Sequence, residues 1–383
     1  MKNNNTKYQS KATRLSDDIS KDIKQGRFAF QKPLPSENEL AEQYDVSRST
    51  IRKVISLLTT KGQLIKEPHR GVWINQPAAD KFNSPEAAKA KRKPGKSYSI
   101  AAVWAAYPDA LTAEISEGIK KYCLDNPEIK LQLLTSETAQ SEAINILEHV
   151  KEYDVDGLIV LPYENDEYHR TLEKLAAENF PIVCVDRQIY GVELNTVKVD
   201  NSYGMYSATT RLIMKYRRPV HFFGPKPSVQ PQKERYDGYC RGMLDAGFES
   251  SIKENSFFFD SRESDPAYWP IDRKWELPYN AALEMLKEIK VPCSIVCLND
   301  YTAKGVYEAA SKLGLSIGDD IKIIGFDDLP MARCLSPTLS SVLQPRKHIG
   351  LEAARILHKQ LDGKIRNKMN ISLPVQLIER ESS

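Results

Sequence analysis

The fold of the N-terminal part is decided by residues 34–52, which read LPSENELAEQYDVSRSTIR. Ser36 followed by Glu39 is a capping box, a pattern typical of a helix start. Asp45 tolerates the left-handed backbone conformation that a sharp turn needs. Ser47 is then placed to cap a further helix. The stretch therefore predicts two helices joined by a tight turn.

Apolar spacing extends this pattern in both directions. Upstream, Leu15, Ile19 and Ile23 recur every four residues and predict a first helix that ends at Gly26. Downstream, the helix after Ser47 has an apolar face formed by Ile51, Val54, Ile55 and Leu58. Short apolar runs at 64–65 and 72–74 then flank a polar segment and predict a hairpin. Helix, helix, turn, helix and hairpin form a winged helix-turn-helix, an α+β domain that we expect over residues 1–76.

The third predicted helix carries basic side chains away from its apolar face. Arg48 and Arg52 are four residues apart, so they project together. A helix fits the major groove of DNA, where arginine can donate two hydrogen bonds to a guanine edge. The alternative is a solvated basic face on an ordinary three-helix bundle. Similarly, His69-Arg70-Gly71 at the hairpin tip either reaches the minor groove or is a merely exposed turn.

The charge distribution divides the chain in two. The whole chain has a net charge of only +3, which is too small to indicate a nucleic-acid partner. Residues 1–96 hold 20 Lys and Arg against 10 Asp and Glu, whereas the remainder holds 34 against 41. This asymmetry indicates a nucleic-acid-binding module joined to a part with another task. Residues 77–97, rich in Ala, Lys and Pro, are expected to be the linker.

From residue 98 onward, short apolar runs alternate with longer segments of helical periodicity. The alternation is typical of βαβ units whose parallel strands are buried on both faces. Because so long a segment exceeds one comfortable core, we expect a two-lobed α/β domain over residues 98–383. The apolar runs are 100–104, 157–161, 181–185, 220–223, 294–298 and 321–326.

Polar residues follow several of these runs. Asp186-Arg187, Asn299-Asp300 and Asp327-Asp328 come directly after predicted strands, and Arg235 follows a further strand and its loop. Ligands bind outside the carboxyl ends of parallel strands, so these groups are expected to line one cleft. Carboxylate, amide and guanidinium groups can form paired hydrogen bonds with neighbouring hydroxyls, which suits a sugar. The aromatic residues near these strand ends either stack on the ligand or belong to the core; they are Trp104, Tyr107 and Tyr163.

Other classes of function lack a supporting pattern. Two catalytic carboxylates must lie about 5–10 Å apart on separate elements, which adjacent Asp327 and Asp328 do not provide; Asp186 with Asp327 stays open. No zinc spacing or phosphate loop occurs, so no catalytic residue, metal or cofactor is expected. The six Cys form no C-x-x-C pair and indicate buried free thiols. Without a signal sequence or an apolar run of about 18 residues, we expect a cytoplasmic protein with no membrane partner.

The segments LPSENELA (34–41) and VSRSTIR (46–52) closely resemble the GntR family of bacterial repressors. The resemblance covers about residues 15–75. Asn38 replaces the Arg that is usual in the family, and Pro68-His69-Arg70-Gly71 replaces a Gly-rich tip, so the operator sequence stays open. By this resemblance the DNA contacts fall on Ser36, Arg48, Ser49, Thr50, Arg52 and, in the wing, Gly71.

The larger part resembles the effector domain of LacI/GalR repressors over about residues 98–380. The segments that carry this resemblance are Asp200-Asn201, 235–239, 299–305, 319–321, 325–328 and 337–339 with the later Gln344. The resemblance implies the fold of type I periplasmic sugar-binding proteins, two Rossmann-like lobes with crossovers near 200, 343 and 370. Residues 261–278, with Trp269 and Trp275, depart from the family and either line the cleft or pack outside it.

The same resemblance implies a set of effector contacts. Arg235, Asn299 and Asp327 follow from the motif, and Asp186 and Gln344 are added to them. Arg187 joins the set through its place after the strand 181–185. By contrast, Asp328 is expected to be structural and Asp200 to cap a helix.

A GntR head on a LacI-type sensor is also the organisation of the arabinose repressors of Gram-positive bacteria. It implies a transcription repressor that binds a double-stranded DNA operator as a homodimer. Release would follow when a small sugar binds between the lobes, a pentose such as arabinose being favoured. The alternatives are a regulator or activator that answers a non-sugar metabolite such as a purine, and an enzyme that processes a sugar.

Overall fold

A computed structural model describes residues 11–24, 28, 33–60, 64–67, 71–74, 97–105, 110–136, 140–163, 165–189, 191–260, 274–365 and 367–383. The chain forms two compact units, Met1–Gly95 and Lys96–Ser383. Among the described helices, none is long and apolar enough to cross a membrane.

The first unit has the winged helix-turn-helix order that the sequence predicts. Its strands pair antiparallel, with Leu64 opposite Ile74. The interior of this unit is apolar, and Ile51, Val54 and Leu58 are fully buried in it. The elements are α1 (Lys11–Lys24), α2 (Glu37–Gln43), α3 (Arg48–Thr60), β1 (Leu64–Glu67) and β2 (Gly71–Ile74).

Local hydrogen bonds confirm the predicted helix start and turn. The Ser36 side chain accepts from the Glu39 N–H, and the Glu39 carboxylate accepts from the Ser36 N–H at 2.7 Å. Asp45 adopts a φ of +48°, the left-handed conformation expected of the turn. Ser47 Oγ accepts from the Thr50 N–H at 3.3 Å and so begins α3.

The second unit alternates strands and helices along its length. Its first elements are β3 (Tyr98–Ala105), α4 (Ala110–Asp125), β4 (Ile129–Ser136), α5 (Gln140–Glu148), β5 (Gly157–Val160), α6 (Asp166–Ala177), β6 (Ile182–Val185) and β7 (Asn195–Val199). The chain continues with α7 (Asn201–Tyr216), β8 (His221–Pro225), α8 (Gln230–Asp245), β9 (Ser256–Phe259), α9 (Glu276–Glu288), β10 (Cys293–Cys297), α10 (Asp300–Leu313) and β11 (Ile321–Asp327). Its last elements are β12 (Ser340–Leu343), α11 (Arg346–Leu361), β13 (Asn370–Leu373) and β14 (Gln376–Ile378).

These strands form two six-stranded sheets, each the centre of one lobe. In the N-terminal lobe the order is β13-β7-β6-β5-β3-β4, and all neighbours are parallel. In the C-terminal lobe the order is β14-β12-β11-β10-β8-β9, and only the pair of β12 with β14 is antiparallel. The predicted two-lobed α/β architecture is therefore confirmed.

The chain passes between the lobes three times. It leaves the N-terminal sheet after β7 and starts α7 at Asn201, which packs on the C-terminal sheet. It returns between β12 and α11, through Gln344 and Pro345. It passes back to the C-terminal sheet between β13 and β14. Each lobe is therefore assembled from segments that are distant in sequence.

Strand residues predicted from apolar runs are buried because helices cover both sheet faces. Strands β5, β6 and β10 are buried at every position. The apolar runs did not include β4, β7, β9, β12, β13 and β14. Two reasons apply: β4, β9, β13 and β14 are sheet edges with exposed positions, and β7 and β12 carry buried polar residues such as Thr196 and Ser340.

Glycines let helices cross at backbone contact within each lobe. A Cβ at Gly118 of α4 would lie 1.8 Å from the Lys347 carbonyl oxygen, and one at Gly350 of α11 would lie 1.9 Å from that of Ile115. In the C-terminal lobe a Cβ at Gly238 of α8 would lie 2.1 Å from a backbone oxygen of α7. Since any side chain at these positions would collide with backbone, the helix pairs α4–α11 and α7–α8 depend on glycine.

Candidate functional site

Asp186 and Arg187 lie at the carboxyl end of β6, as the strand reading predicts. Asp186 is buried and adopts a φ of +68°. The Arg187 guanidinium donates to its carboxylate through Nε at 3.0 Å and forms an ion pair at 2.9 Å. This adjacent pair places one negative and one positive group, bonded to each other, at the carboxyl end of β6.

Arg235 is the most heavily bonded of the predicted contact residues. It lies on α8 and is buried, with 7% of its surface exposed. Its Nε donates to Asn201 Oδ1 at 2.9 Å, and its Nη1 donates to the Leu298 carbonyl oxygen at 2.8 Å. Its Nη2 donates to Asp327 Oδ1 at 3.2 Å, and the guanidinium carbon lies 3.8 Å from the centre of the Phe326 ring. These contacts fix the plane of the guanidinium group.

Asp327 ends β11 with a strained backbone. Its φ is +108°, a conformation that a residue with a side chain rarely adopts. Its Oδ1 also accepts from Gln344 Nε2 at 2.5 Å, and its carbonyl oxygen accepts from Arg346. Burial raises the pKa of the Asp327 carboxyl, while Arg235 and Arg346 act in the opposite direction. The structure thus brings three predicted contacts, Arg235, Asp327 and Gln344, together at one point.

Asn299 and Gln344 each use one polar side-chain atom in a hydrogen bond within the protein and carry a second polar atom that these bonds do not use. Asn299 Oδ1 caps α10 by accepting from Thr302 N at 2.9 Å and Thr302 Oγ1 at 2.8 Å. Its amide nitrogen is not used by this cap. Gln344 Oε1 is buried and has no hydrogen-bond partner among the described residues. A buried acceptor of this kind calls for a water or a ligand.

The neighbouring acids Asp300 and Asp328 have structural surroundings. Asp300 is fully buried, where it accepts from the Leu329 N–H at 2.7 Å and from Ser341 Oγ at 2.6 Å. Burial raises the pKa of the Asp300 carboxyl well above its usual range. Asp328 is buried against Arg380, with 2.6 Å between Oδ1 and Nη2. Asp200 caps α7, as expected, by accepting from the Tyr203 N–H at 2.9 Å.

Two ion pairs near the predicted contact residues were not found by sequence reasoning. Lys198 of β7 pairs with Glu234 of α8 at 2.5 Å, and Arg346 of α11 pairs with Glu114 of α4 at 2.9 Å. Glu234 also accepts from Asn201 Nδ2 at 3.1 Å. The partners are separated by 36 and 232 residues, so no local pattern marks them. Only the adjacency of Glu234 to Arg235 and of Arg346 to Gln344 offered a signal.

The aromatic residues that the sequence offered for stacking on a ligand do not form a common surface in the described part of the chain. Trp104 is fully buried in the core and donates through Nε1 to Ser116 Oγ at 2.9 Å, so the core alternative is correct for it. Tyr163 is half-buried with its ring edge-on to Tyr168. Tyr107 and most of the insert, including Trp269, lie outside the described residues. Trp275 precedes α9, and the Lys304 ammonium lies 4.7 Å from its ring centre.

The basic residues of the first unit converge on one carboxylate. Arg48 Nε donates to Glu37 Oε2 at 2.9 Å, and Arg52 Nη2 donates to the same oxygen at 2.9 Å. Both arginines are exposed on α3, with side-chain exposures of 59% and 63%. The two guanidinium hydrogen bonds lower the pKa of the Glu37 carboxyl to about 2. Glu37, which the sequence reading passed over, therefore holds the two predicted base-reading residues side by side.

The remaining predicted DNA contacts have less distinctive surroundings. Ser36 is exposed and serves as the cap of α2. Ser47 Oγ lies 2.9 Å from Ser49 Oγ and 2.8 Å from Thr50 Oγ1, so three hydroxyls cluster at the start of α3. Gly71 is the first residue of β2. His69 and Arg70 lie outside the described residues.

Metal ligands and reactive thiols are not prominent in the part of the chain that the structure describes. Its His, Cys, Asp and Glu side chains include no group of three or more that could hold a metal ion. The six cysteines are free, as expected, although only Cys184, Cys293 and Cys297 are buried and Cys334 is exposed. Burial raises the pKa of the Cys184 thiol to about 12, which keeps it protonated.

Two family models match the chain. Residues 11–74 match the bacterial regulatory proteins of the gntR family, and residues 210–383 match a periplasmic binding protein-like domain. The chain thus carries a GntR-type helix-turn-helix domain followed by a periplasmic-binding-protein-like domain. The predicted resemblance is confirmed in both parts.

Curated relatives align with this chain over almost their whole length. The "Arabinose metabolism transcriptional repressor" of Geobacillus stearothermophilus is 26% identical, and the alignment covers 97% of each chain. The "HTH-type transcriptional repressor PurR" of Histophilus somni is 25% identical over 90% of this chain and 97% of its own. These relatives are thus named as transcriptional repressors.

Solved structures share the fold. A transcriptional regulator CelR–cellobiose complex superposes with a TM-score of 0.63 at 20% identity, covering 91% of this chain and all of the other. A LacI family transcriptional regulator from Enterococcus faecium with bound ribose has a TM-score of 0.61 at 19% identity, covering 74% and 98%. At this level of identity the likeness concerns the fold alone.

Proposed function

We propose that the protein is a transcription repressor that binds a double-stranded DNA operator and is released by a small sugar. The observation that carries the proposal is the combination of an arginine-bearing reader helix with a buried Arg235–Asp327 pair at the strand ends of a two-lobed domain. A pentose such as arabinose is the favoured effector, because a relative over 97% of the chain is named for arabinose metabolism.

DNA binding is assigned to residues 1–76. Arg48 and Arg52 lie side by side and share Glu37, which gives them a fixed spacing. A guanine edge or a phosphate can replace this exposed carboxylate as their acceptor. Ser36, Ser49 and Thr50 would add contacts from the starts of α2 and α3. His69, Arg70 and Gly71 would contact the minor groove from the hairpin tip.

Effector binding is assigned to the cleft formed by Asp186, Arg187, Arg235, Asn299, Asp327 and Gln344. The charged members of this set are paired with each other, Arg187 with Asp186 and Arg235 with Asp327. A neutral ligand with several hydroxyls can bond to such pairs without leaving a charge uncompensated. The buried Gln344 Oε1 supplies an acceptor that a ligand hydroxyl can satisfy.

The proposal includes a homodimer in the cytoplasm and excludes catalysis. Two reader units, residues 1–95 of each protomer, match the two-fold symmetry of operator sites. Asp328 is held by Arg380, and Asp186 is held by Arg187, so neither offers a free carboxylate beside Asp327. The alternative effector is a non-sugar metabolite, and the alternative action is activation.

A selection of genomic DNA fragments bound by the purified protein tests the DNA arm. Fluorescence anisotropy of a selected fragment, titrated with a panel of pentoses, hexoses and non-sugar metabolites, tests the effector arm. We expect one pentose to release the DNA at micromolar to millimolar concentration. Failure to enrich any fragment would contradict the regulator assignment, and release by a non-sugar metabolite alone would favour the alternative.

A further inference from the structure

Glu234 lies between the two lobes and bonds to both. It belongs to α8 of the C-terminal lobe, yet its Oε1 accepts from the ammonium group of Lys198, which lies on β7 of the N-terminal sheet, at 2.5 Å. Gln230, one turn earlier on α8, donates to the same oxygen at 2.8 Å. The Gln230 Oε1 accepts in turn from the Gln188 N–H of the N-terminal lobe at 3.1 Å. This face of α8 is therefore a polar contact between the lobes.

The other oxygen of Glu234 determines how the Asn201 amide is turned. Glu234 Oε2 accepts from Asn201 Nδ2 at 3.1 Å, and a carboxylate can only accept hydrogen bonds. The Asn201 oxygen must therefore face away from Glu234. It faces Arg235 and accepts from the Arg235 Nε at 2.9 Å. With the amide reversed, Nδ2 and the Arg235 Nε–H would meet as two donors.

We propose that Glu234 is a positioning residue that couples the contact between the lobes to the geometry of Arg235. One of its oxygens accepts a hydrogen bond from Lys198 of the opposite lobe, so its position depends on how the two lobes are placed. The other oxygen, Oε2, holds the Asn201 amide in the orientation that accepts from Arg235. This bond keeps the Arg235 guanidinium group beside Asp327. Effector affinity therefore depends on Lys198 and Glu234, although neither is among the proposed effector contacts. The inference rests on the proposed function only in naming the ligand that Arg235 receives.

An ion pair within the N-terminal lobe provides a matched control. Arg346 of α11 pairs with Glu114 of α4, and Arg346 also donates to the Asp327 carbonyl oxygen. Glu114→Gln weakens this pair without touching Glu234, Asn201 or Lys198. A general effect of losing an ion pair next to Asp327 would occur in both variants, whereas the proposed relay involves only Glu234.

The first experiment needs no ligand. The solvent-exchange rate of the Arg235 Nε–H is measured by nitrogen-15 NMR of arginine side chains in the full-length protein, with the signal assigned by Arg235→Lys. In Glu234→Gln the single amide oxygen is claimed by Lys198 and Gln230, so the amide nitrogen faces Asn201 and reverses it. We expect Arg235 Nε–H exchange to accelerate about tenfold or more, because a charge-assisted hydrogen bond is lost.

A double variant separates this relay from a merely structural role. In Lys198→Met with Glu234→Gln, the glutamine oxygen loses one of its two competing donors and can turn to Asn201. The solvent exchange of the Arg235 Nε–H should then be slower than in Glu234→Gln alone. A merely structural role predicts the opposite, because the double variant carries two substitutions instead of one. Glu114→Gln should leave the exchange rate unchanged. The proposal is wrong if Glu234→Gln keeps full protection, if the double variant exchanges as fast as Glu234→Gln, or if Glu114→Gln exchanges as fast.

The second experiment uses L-arabinose and isothermal titration calorimetry on the same four proteins. We expect Glu234→Gln to weaken binding about tenfold and the double variant to recover part of that loss. If the unaltered protein binds no arabinose, the favoured effector is wrong, while the exchange experiment still decides the relay. If arabinose binds equally to all four proteins, the relay does not control the site.

Discussion

Arg235 is the side chain on which the candidate cleft depends, because its fork bonds to Asn201, Leu298 and Asp327 at once. We expect Arg235→Lys to abolish the effector response while operator binding survives. An ammonium group keeps the charge but cannot reproduce the planar fork. Calorimetry with the effector and anisotropy with operator DNA measure the two effects. Arg211→Lys, in an exposed pair with Glu379, is the matched control and should change neither.

Arg235→Ala is expected to be more damaging than Arg235→Lys. It leaves the largely buried Asp327 carboxylate without its cation, and breaking a buried ion pair costs about 3–5 kcal/mol. Urea unfolding of the three proteins should therefore rank Ala well below Lys and Lys below the unaltered chain. Equal unfolding midpoints for Ala and Lys would mean that Asp327 is solvated or neutral when Arg235 is absent.

Glu37 gives the reader unit a predictable acid sensitivity. The pKa of its carboxyl falls from an ordinary 4.5 to about 2 in the folded protein, because Arg52 and Arg48 donate to the ionised form. The stabilisation is complete above pH 4.5 and is lost as the pH falls from there towards 2. Hydrogen exchange of α2 and α3 should be faster in Glu37→Gln than in the unaltered protein at pH 6. The difference should shrink at pH 3; an equal difference at both values would contradict the assignment.

At the residue scale, the sequence could indicate which side chains are chemically active but not which partners hold them. Arg235, Asp327 and Gln344 were predicted and meet in the structure. Glu234 and Arg346 were missed because their partners are brought to them only by the three passages between the lobes. The role of Arg235, Asp327 and Gln344 in binding an effector stays a prediction.

The helix pairs are the elements most sensitive to a small change. A Cβ at Gly350 would lie 1.9 Å from the Ile115 carbonyl oxygen, so α11 and α4 would have to separate. We expect Gly350→Ala to destabilise the protein by about 3 kcal/mol or more, despite the better helix propensity of alanine. Urea unfolding followed by circular dichroism measures the loss.

Substitution of a second glycine distinguishes the cost of a steric collision from the cost of a strained backbone conformation. Gly314 ends α10 with a φ of +71°, and nothing lies within 4 Å of a Cβ placed there. Gly314→Ala should therefore cost only about 1 kcal/mol, the penalty of a left-handed alanine. If the two substitutions cost the same, the close crossing of α4 and α11 is not what Gly350 is needed for.

Strands could be predicted from the sequence where they consist mainly of consecutive apolar residues, and not where they carry buried polar residues or lie at a sheet edge. Consecutive apolar residues predicted β5, β6 and most of β10, since a strand covered on both faces is mainly apolar; Ser294 is the polar residue of β10. β12 escaped detection because Ser340 and Ser341 are buried in it. Their hydroxyls bond to Arg380 and Asp300, partners that no pattern along the chain reveals.

On the scale of the whole molecule, two binding events must influence each other equally. If the effector lowers operator affinity by some factor, operator DNA must lower effector affinity by the same factor. We expect a factor of about 5–150, the usual range of such coupling. Calorimetric titration of the effector into the free protein and into the operator-saturated protein gives one factor, and anisotropy with and without effector gives the other. Unequal factors would show that a third state or a change of oligomer takes part.

The charge split at the linker was the first sign of two units, and the structure separates Met1–Gly95 from Lys96–Ser383. The sequence could predict this division because composition is a property of long segments. It could not predict how the lobes are stitched together, since that depends on pairings such as β7 with β13, whose aligned residues lie 174 positions apart.

Because each sheet includes strands from distant parts of the chain, the two units become able to fold at different times during synthesis. The N-terminal sheet needs β13, and the C-terminal sheet needs β14, so the second sheet is complete only once residue 378 has been synthesised. The reader unit uses none of those residues and can fold first. At synthesis rates of about 5–20 residues per second, its head start is roughly 15–60 s. During that interval, and permanently in any chain that terminates soon after residue 97, the first unit exists without the second.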